Sequence, residues 1–146
     1  MDQNIEIRRM QEKDFSQVCL IEQAIFAQPW SRGDFADASR KPENIYLVAC
    51  EQEQILGYLG IWGVAGEGQV TNVAVTECAR RRGIAYALFQ QAFVLGKQMG
   101  IEAYTLEVRV SNKNALALYE KLGFRSAGIR KNFYDFPKED ANIMWR

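Results

Sequence analysis

Two stretches of this 146-residue chain hold residue types at a spacing that can do chemistry. In the first, Thr71-Asn72-Val73-Ala74-Val75 leads into Arg80-Arg81-Arg82-Gly83-Ile84-Ala85. A strand there feeds a basic, glycine-containing turn, and the turn opens a helix. A helix N-terminus presents unpaired N–H groups and the positive end of a dipole, which suits an anion such as a pyrophosphate. Gly83 has no Cβ, so a ligand can approach the backbone closely. A short basic run is often only a solvated turn. Beside a glycine and a helix start, phosphate binding is the stronger reading.

In the second stretch, Glu107 stands inside an otherwise apolar strand and Tyr119 follows on the next helix. Burying an unpaired carboxylate is costly. Glu107 therefore faces solvent, pairs with an arginine such as Arg109, or serves as a general base. The chain contains no histidine. That excludes Ser-His-Asp and Cys-His catalysis and histidine-ligated metal sites, and leaves proton transfer to a carboxylate, a tyrosine or water. No metal is expected. Tyr119 has a packing role open to it as well as a chemical one, since Leu118 and Leu122 flank it. Asn112, just before its helix, can serve as a cap.

Stepping outward, hydrophobic residues make up 48% and charged residues 25%, ordinary values for a soluble globular protein, and the length suits one domain over 1–146. Lysine and arginine number 18, as do aspartate and glutamate, so no general basic surface is available for nucleic acid. No apolar run reaches the ~20 residues of a membrane span, and the polar start Met1-Asp2-Gln3-Asn4 is not a signal peptide. Cys19, Cys50 and Cys78 form an odd, unpatterned set, which points to free thiols in a reducing cytoplasm.

The elements that must carry these residues follow from periodicity. Ile5 and Ile7 mark a first strand. Phe15, Val18, Cys19, Ile25 and Phe26 follow helical spacing, with Glu22 interrupting the stripe. Pro29-Trp30-Ser31 breaks the chain, and Ser31 with Asp34 forms a capping box for a helix through Phe35 and Ala38. Strands are expected over 45–50 and 55–62, a turn over 63–68, and a strand holding Val70, Val73 and Val75. The helix after Gly83 has the stripe Ile84, Leu88, Ala92, Leu95 and Met99, ended by a left-handed Gly100. A strand over 104–108, a helix over 114–122 closed by Gly123, and strands around 124–129 and 141–145 complete the order. Strand pairs that alternate with helices give an α/β chain with a mixed, twisted central sheet and helices on both faces.

The basic turn matches an Arg/Gln-x-x-Gly-x-Gly/Ala signature. With Leu106-Glu107-Val108-Arg109, Ser111-Asn112 and Ala117-Leu118-Tyr119-Glu120-Lys121-Leu122-Gly123-Phe124 downstream, nearly the whole chain resembles the GNAT N-acetyltransferases. Within them it is similar to the ribosomal-protein alanine N-acetyltransferases (the RimI type). The resemblance implies the GNAT fold and acetyl-CoA as cosubstrate. It implies that Arg81, Arg82, Gly83, Ile84, Ala85 and Tyr86 line the pyrophosphate, and that the backbone of Val73, Ala74 and Val75 receives the pantetheine arm and acetyl carbonyl. It gives Glu107 the role of base and directs the Tyr119 hydroxyl to the CoA sulfur. An ordinary tyrosine titrates near 10 and a thiol near 8.5, so complete proton transfer would be uphill by roughly 2 kcal/mol; a strengthening hydrogen bond suits Tyr119 better. Asn112 is implied as a cofactor contact.

The same resemblance treats residues 130–134 as a loop between the last two strands that faces the acceptor peptide through Phe133 and Tyr134. Relatives often have two tyrosines there, and here one hydroxyl is missing. Trp30 is implied as the opposite wall, with core packing equally open to it. Gln69 stands where some relatives have histidine. The implied acceptor is a protein N-terminus, namely the N-terminal alanine of ribosomal protein S18. An α-amine titrates near 7.8 against about 10.4 for lysine, so a single carboxylate base suits it better. A monomer or weak dimer is expected. Two other readings stay open at this point: acetylation of a small amine or antibiotic, and a non-catalytic acyl-CoA-binding module.

Overall fold

In the computed structural model, which describes residues 4–146, one seven-stranded sheet runs in the order β1-β2-β3-β4-β5-β7-β6. Its strands are β1 Ile5–Arg9, β2 Ile45–Glu51, β3 Gln54–Val64, β4 Glu67–Val75, β5 Ala103–Arg109, β6 Arg125–Asp135 and β7 Lys138–Trp145. The polar start Met1-Asp2-Gln3 lies outside the described residues. Helices α1 Phe15–Ile25 and α2 Arg32–Arg40 cover one face, and α3 Ile84–Gln98 and α4 Lys113–Lys121 cover the other. The mixed sheet and the order of elements are those expected from the sequence.

Alternation in the strands builds two cores. Leu47, Leu59, Leu106, Val108 and Met144 meet Leu88, Phe89 and Ala92 of α3 and Tyr119 of α4. Tyr46, Val48, Tyr58 and Ala74 point the other way, toward Phe15, Val18 and Ile21 of α1 and Phe35 and Ala38 of α2. The capping box forms as expected: the Asp34 amide donates to Ser31 Oγ at 3.1 Å, and the Ser31 amide donates to Asp34 Oδ2 at 2.8 Å.

Local departures from the sequence reading have physical reasons. The turn placed over 63–68 contracts to Ala65 and Gly66, because Gly63 and Gly68 pair with each other in the β3–β4 ladder. The core face of α3 is rotated: Phe89 and Gly96 are buried while Met99 is exposed. Gly96 is selected by crowding, since a Cβ there would collide with the Tyr104 hydroxyl. Gly100 takes the expected left-handed conformation (φ +84°). The segment 130–134, expected as a loop, lies within the long strand β6, paired with β7 through a bulge between Arg130 and Tyr134.

The feature that matters most for function is an incomplete ladder. Strands β4 and β5 pair in parallel only at Glu67↔Ala103, Gly68↔Tyr104 and Gln69↔Thr105. Yet β4 continues to Val75 and β5 to Arg109. The register of β3 against β4 shifts beside Gly60, so Thr71 opposes no β3 residue. A bulge of this kind bends and twists its strand. Beyond Gln69 the two strands diverge and open a splay in the middle of the sheet.

Candidate active site

One side of the splay ends in the basic turn. Strand β4 stops at Val75, a short 3-10 turn covers Glu77–Ala79, and α3 begins at Ile84 behind Gly83. Gly83 has φ +75°, and no protein atom lies within 4 Å of where its Cβ would stand. No side chain caps α3, and its first backbone bond runs from the Ala87 amide to the Gly83 carbonyl at 3.0 Å. The amides of Ile84, Ala85 and Tyr86 are therefore available to an anion at the positive end of the helix.

The three arginines of this turn separate by role. Arg80 Nε donates to the Val75 carbonyl at 3.2 Å and ties the turn to the end of β4. Arg82 pairs with Glu51 at 3.2 Å. Arg81 is exposed with φ +63° and makes no ion pair among the described residues. The Arg81 side chain is thus open to solvent at the start of α3. Turn, helix start and splayed strand together fit the diphosphate and pantetheine of an acyl-CoA. That group supplies an activated acyl carbon when bound.

Across the splay, Leu106 and Val108 are buried against α3 and α4, so alternation turns Glu107 to the α1/α2 face. Arg109 shares that face, but its ion pair is with Glu139 at 3.4 Å. The sequence had left a Glu107–Arg109 pair open, and the structure spends the arginine elsewhere. Its Nη1 donates to the Pro137 carbonyl at 2.8 Å and its Nη2 to the Phe136 carbonyl at 3.0 Å. Its guanidinium stacks 4.2 Å from the centre of the Tyr134 ring. Glu139 in turn accepts from the Ser111 amide at 2.7 Å. Hydrogen bonding by Ser111, then by Arg109, holds the Glu139 carboxyl below the usual range.

Arg109 thus clamps the tip of the β6–β7 hairpin onto the end of β5. The β6 bulge completes the aim of Tyr134. Asn132 takes φ +56° and its amide donates to Asp140 Oδ1 at 2.9 Å. Burial first, and the Glu107 carboxylate second, push the Tyr134 hydroxyl up to about 12, with Arg109 opposing. Tyr134 stacks on Arg109, which shares a face of β5 with Glu107 two residues away. Phe133 meets the Tyr134 ring edge-on at 5.0 Å and lies under Arg130, half exposed.

Tyr119 reaches the site from the α3/α4 face. It packs edge-on against Phe89 and Phe124, with ring centres 5.8 and 5.9 Å away, and is almost wholly buried. No group among the described residues bonds its hydroxyl. Burial pushes that hydroxyl well above the ordinary tyrosine range, and nearby Tyr134 adds to the shift. Packing and chemistry are thus compatible here. A hydroxyl that holds its proton so firmly acts as a hydrogen-bond donor and not as a full acid. Asn112 does what the simpler reading held: its Oδ1 caps α4 by accepting from the Ala115 amide at 3.2 Å.

Sequence reading missed the polar knot under the acceptor face. Glu22 is 2% exposed. It accepts from Tyr58 Oη at 2.6 Å, from the Trp30 amide at 3.0 Å and from Asn72 Nδ2 at 3.4 Å. It fastens the chain after α1 to β4. The available signal was an acidic residue inside an apolar helical stripe, which demands buried partners. Trp30 accordingly packs on Phe35 and Tyr46 and stands 6.1 Å from Trp62.

A splayed parallel strand pair with an uncapped helix start on one side and a carboxylate on the other suits an acyl-CoA-dependent transferase. Residues 6–124 match the model of the Acetyltransferase (GNAT) family, and the chain belongs to that family. It is 39% identical over 140 residues to a Bacillus subtilis (strain 168) protein whose name proposes [ribosomal protein bS18]-alanine N-acetyltransferase activity, covering 95% of this chain and 93% of that one. It is 35% identical over 141 residues to the Escherichia coli (strain K12) [ribosomal protein bS18]-alanine N-acetyltransferase, covering 94% of each. The crystal structure of the ribosomal-protein-S18-alanine N-acetyltransferase from Escherichia coli superposes with a TM-score of 0.87 at 31% identity, covering 97% of this chain and 92% of that one. The protein is an N-acetyltransferase of the GNAT family. No helix among the described residues is long and apolar enough to cross a membrane.

Proposed function

We propose that this enzyme acetylates the α-amine of a protein N-terminus, with the N-terminal alanine of ribosomal protein bS18 as its acceptor. The observation that carries this reading is the open splay between β4 and β5, with Glu107 on β5 beside a hairpin that Arg109 clamps through Tyr134 and Pro137. Two relatives named for that acceptor, matched over nearly their whole length, support it.

The roles follow from position. The uncapped amides of Ile84, Ala85 and Tyr86, with Arg81 and Gly83, hold the pyrophosphate; Arg82 and Asn112 flank it. The backbone of Val73, Ala74 and Val75, left without a β5 partner, holds the pantetheine and the carbonyl oxygen as charge grows there. Glu107 takes the proton of the attacking amine, directly or through a water. Tyr119 donates to the departing sulfur, a bond that strengthens as the thiolate forms. Tyr134 stays neutral through the physiological range and can hold the acceptor's backbone, with Phe133 and Trp30 flanking the peptide. Free thiols and a ribosomal acceptor support a cytoplasmic location.

The test is acetyl transfer to two peptides. One has the bS18 N-terminus with a free alanine. The other is the same peptide with its α-amine blocked and an internal lysine retained. Turnover on the first alone is expected. Turnover on the blocked peptide, or on neither, contradicts the assignment.

A further inference from the structure

A groove of about 500 Å³ lies between α2 and the end of β3. Trp30 and Trp62 form its aromatic wall, with ring centres 6.1 Å apart and planes inclined by 36°. Asp34, Asp37 and Glu43 stand around it with a single lysine, Lys41. The Asp34 carboxylate is engaged in capping α2. Asp37 and Glu43 are exposed and make no ion pair among the described residues. Trp62 is 42% exposed, which leaves part of its ring open to a partner.

Packing links the groove, through Trp30, to the α1/α2 face of the splay. Trp30 packs 6.3 Å from Tyr46, whose hydroxyl is 2.8 Å from Thr71 Oγ1. Thr71 is the bulged residue of β4, two positions past the last β4–β5 pair and so level with Glu107 on β5. A peptide leaving the splay past Thr71 reaches the tryptophans through several extended residues, at about 3.3–3.6 Å each.

We infer that this groove binds a basic side chain of the acceptor polypeptide, several residues beyond the acetylated N-terminus. A guanidinium or ammonium stacks on an indole face and is drawn there by unpaired carboxylates. Arginine suits the site better than lysine, because its planar group can stack and bond a carboxylate together. The inference rests on the reading that the acceptor is a polypeptide N-terminus. It adds a second point of recognition that a small amine or a very short peptide cannot reach.

The experiment compares three alanine-initiated peptides: a tripeptide, an octapeptide with arginines at positions 4–6, and the same octapeptide with glutamines there. The arginine octapeptide is expected to exceed the glutamine one by about tenfold in kcat/KM through KM. Asp37→Lys, an exposed substitution on α2, is expected to erase that advantage and to leave the tripeptide unchanged. A glutamate octapeptide should then gain on Asp37→Lys relative to the parent enzyme. Trp62→Ala, also at an exposed position, should lower the arginine advantage without altering the tripeptide. Equal turnover of the arginine and glutamine octapeptides overturns the groove, as does an Asp37→Lys effect of equal size on the tripeptide. No turnover on any of the peptides overturns the underlying reading of a polypeptide acceptor, and the groove assignment with it.

Discussion

At the start of α3 the groups proposed to face the cofactor are backbone amides within a few residues of Gly83, with Arg81 beside them. Across the splay the corresponding groups are side chains. Glu107 comes from β5, Tyr134 from β6, Glu139 from β7, and Trp30 from the connection after α1. The cofactor half is short-range and made of groups that every residue except proline possesses. The acceptor half is long-range and depends on who stands beside whom. Backbone chemistry tolerates substitution around it so long as the conformation holds. Side-chain networks fail when one member is lost, because the remaining partners are left unpaired.

The contrast predicts effects that fall on different parameters. Glu107→Gln removes the proposed base and keeps the shape. Acetyl transfer to the alanine peptide should fall by about 10²–10⁴-fold, with acetyl-CoA affinity by calorimetry unchanged. A fall in both would place Glu107 in the cofactor half and break the comparison. Arg109→Ala frees the hairpin tip from two carbonyls, a carboxylate and a stacked ring. We expect the peptide kcat/KM to drop by about 10²-fold, again with acetyl-CoA affinity intact, and Arg109→Lys to recover only part of it.

Gly83→Ala acts on the other half. The left-handed conformation costs an alanine about 1 kcal/mol, and its methyl points into the space a ligand would use. The acetyl-CoA KM should rise about tenfold while the peptide KM stays level. The smallest effect concerns pH. The rate should climb as the acceptor amine loses its proton near 7.8 and then stay flat through about pH 10. Tyr134 is pushed up to about 12, and Tyr119 is raised as well, so both hydroxyls keep their protons throughout that plateau. An alkaline fall near the ordinary tyrosine value would show that one of them titrates freely.

The same contrast explains what could be read from the chain before its structure. The turn around Gly83 was legible because strand end, basic run, glycine and helix start are contiguous. So was the Ser31–Asp34 capping box, where both partners lie within one turn. Glu107 was legible as an acidic residue breaking an apolar strand. The clamp was not, because nothing in the spacing of Arg109, Ser111, Phe136 and Glu139 says that β7 inserts between β5 and β6. That strand order brings the residues together; the expected loop over 130–134 lies within β6, where Arg130 and Tyr134 pair with β7 and the three residues between them bulge out. Glu22 gave half a signal: its place in the stripe called for partners, but Tyr58, Trp30 and Asn72 arrive from three different segments.

The most direct test of two separable halves is a double-mutant cycle of Gly83→Ala and Arg109→Ala, read as kcat/KM at subsaturating acetyl-CoA and peptide. Independent halves predict that the two losses multiply, with a coupling energy within about 0.5 kcal/mol of zero. A coupling well above about 1 kcal/mol would mean that the hairpin clamp and the pyrophosphate turn act as one unit, and would contradict the account.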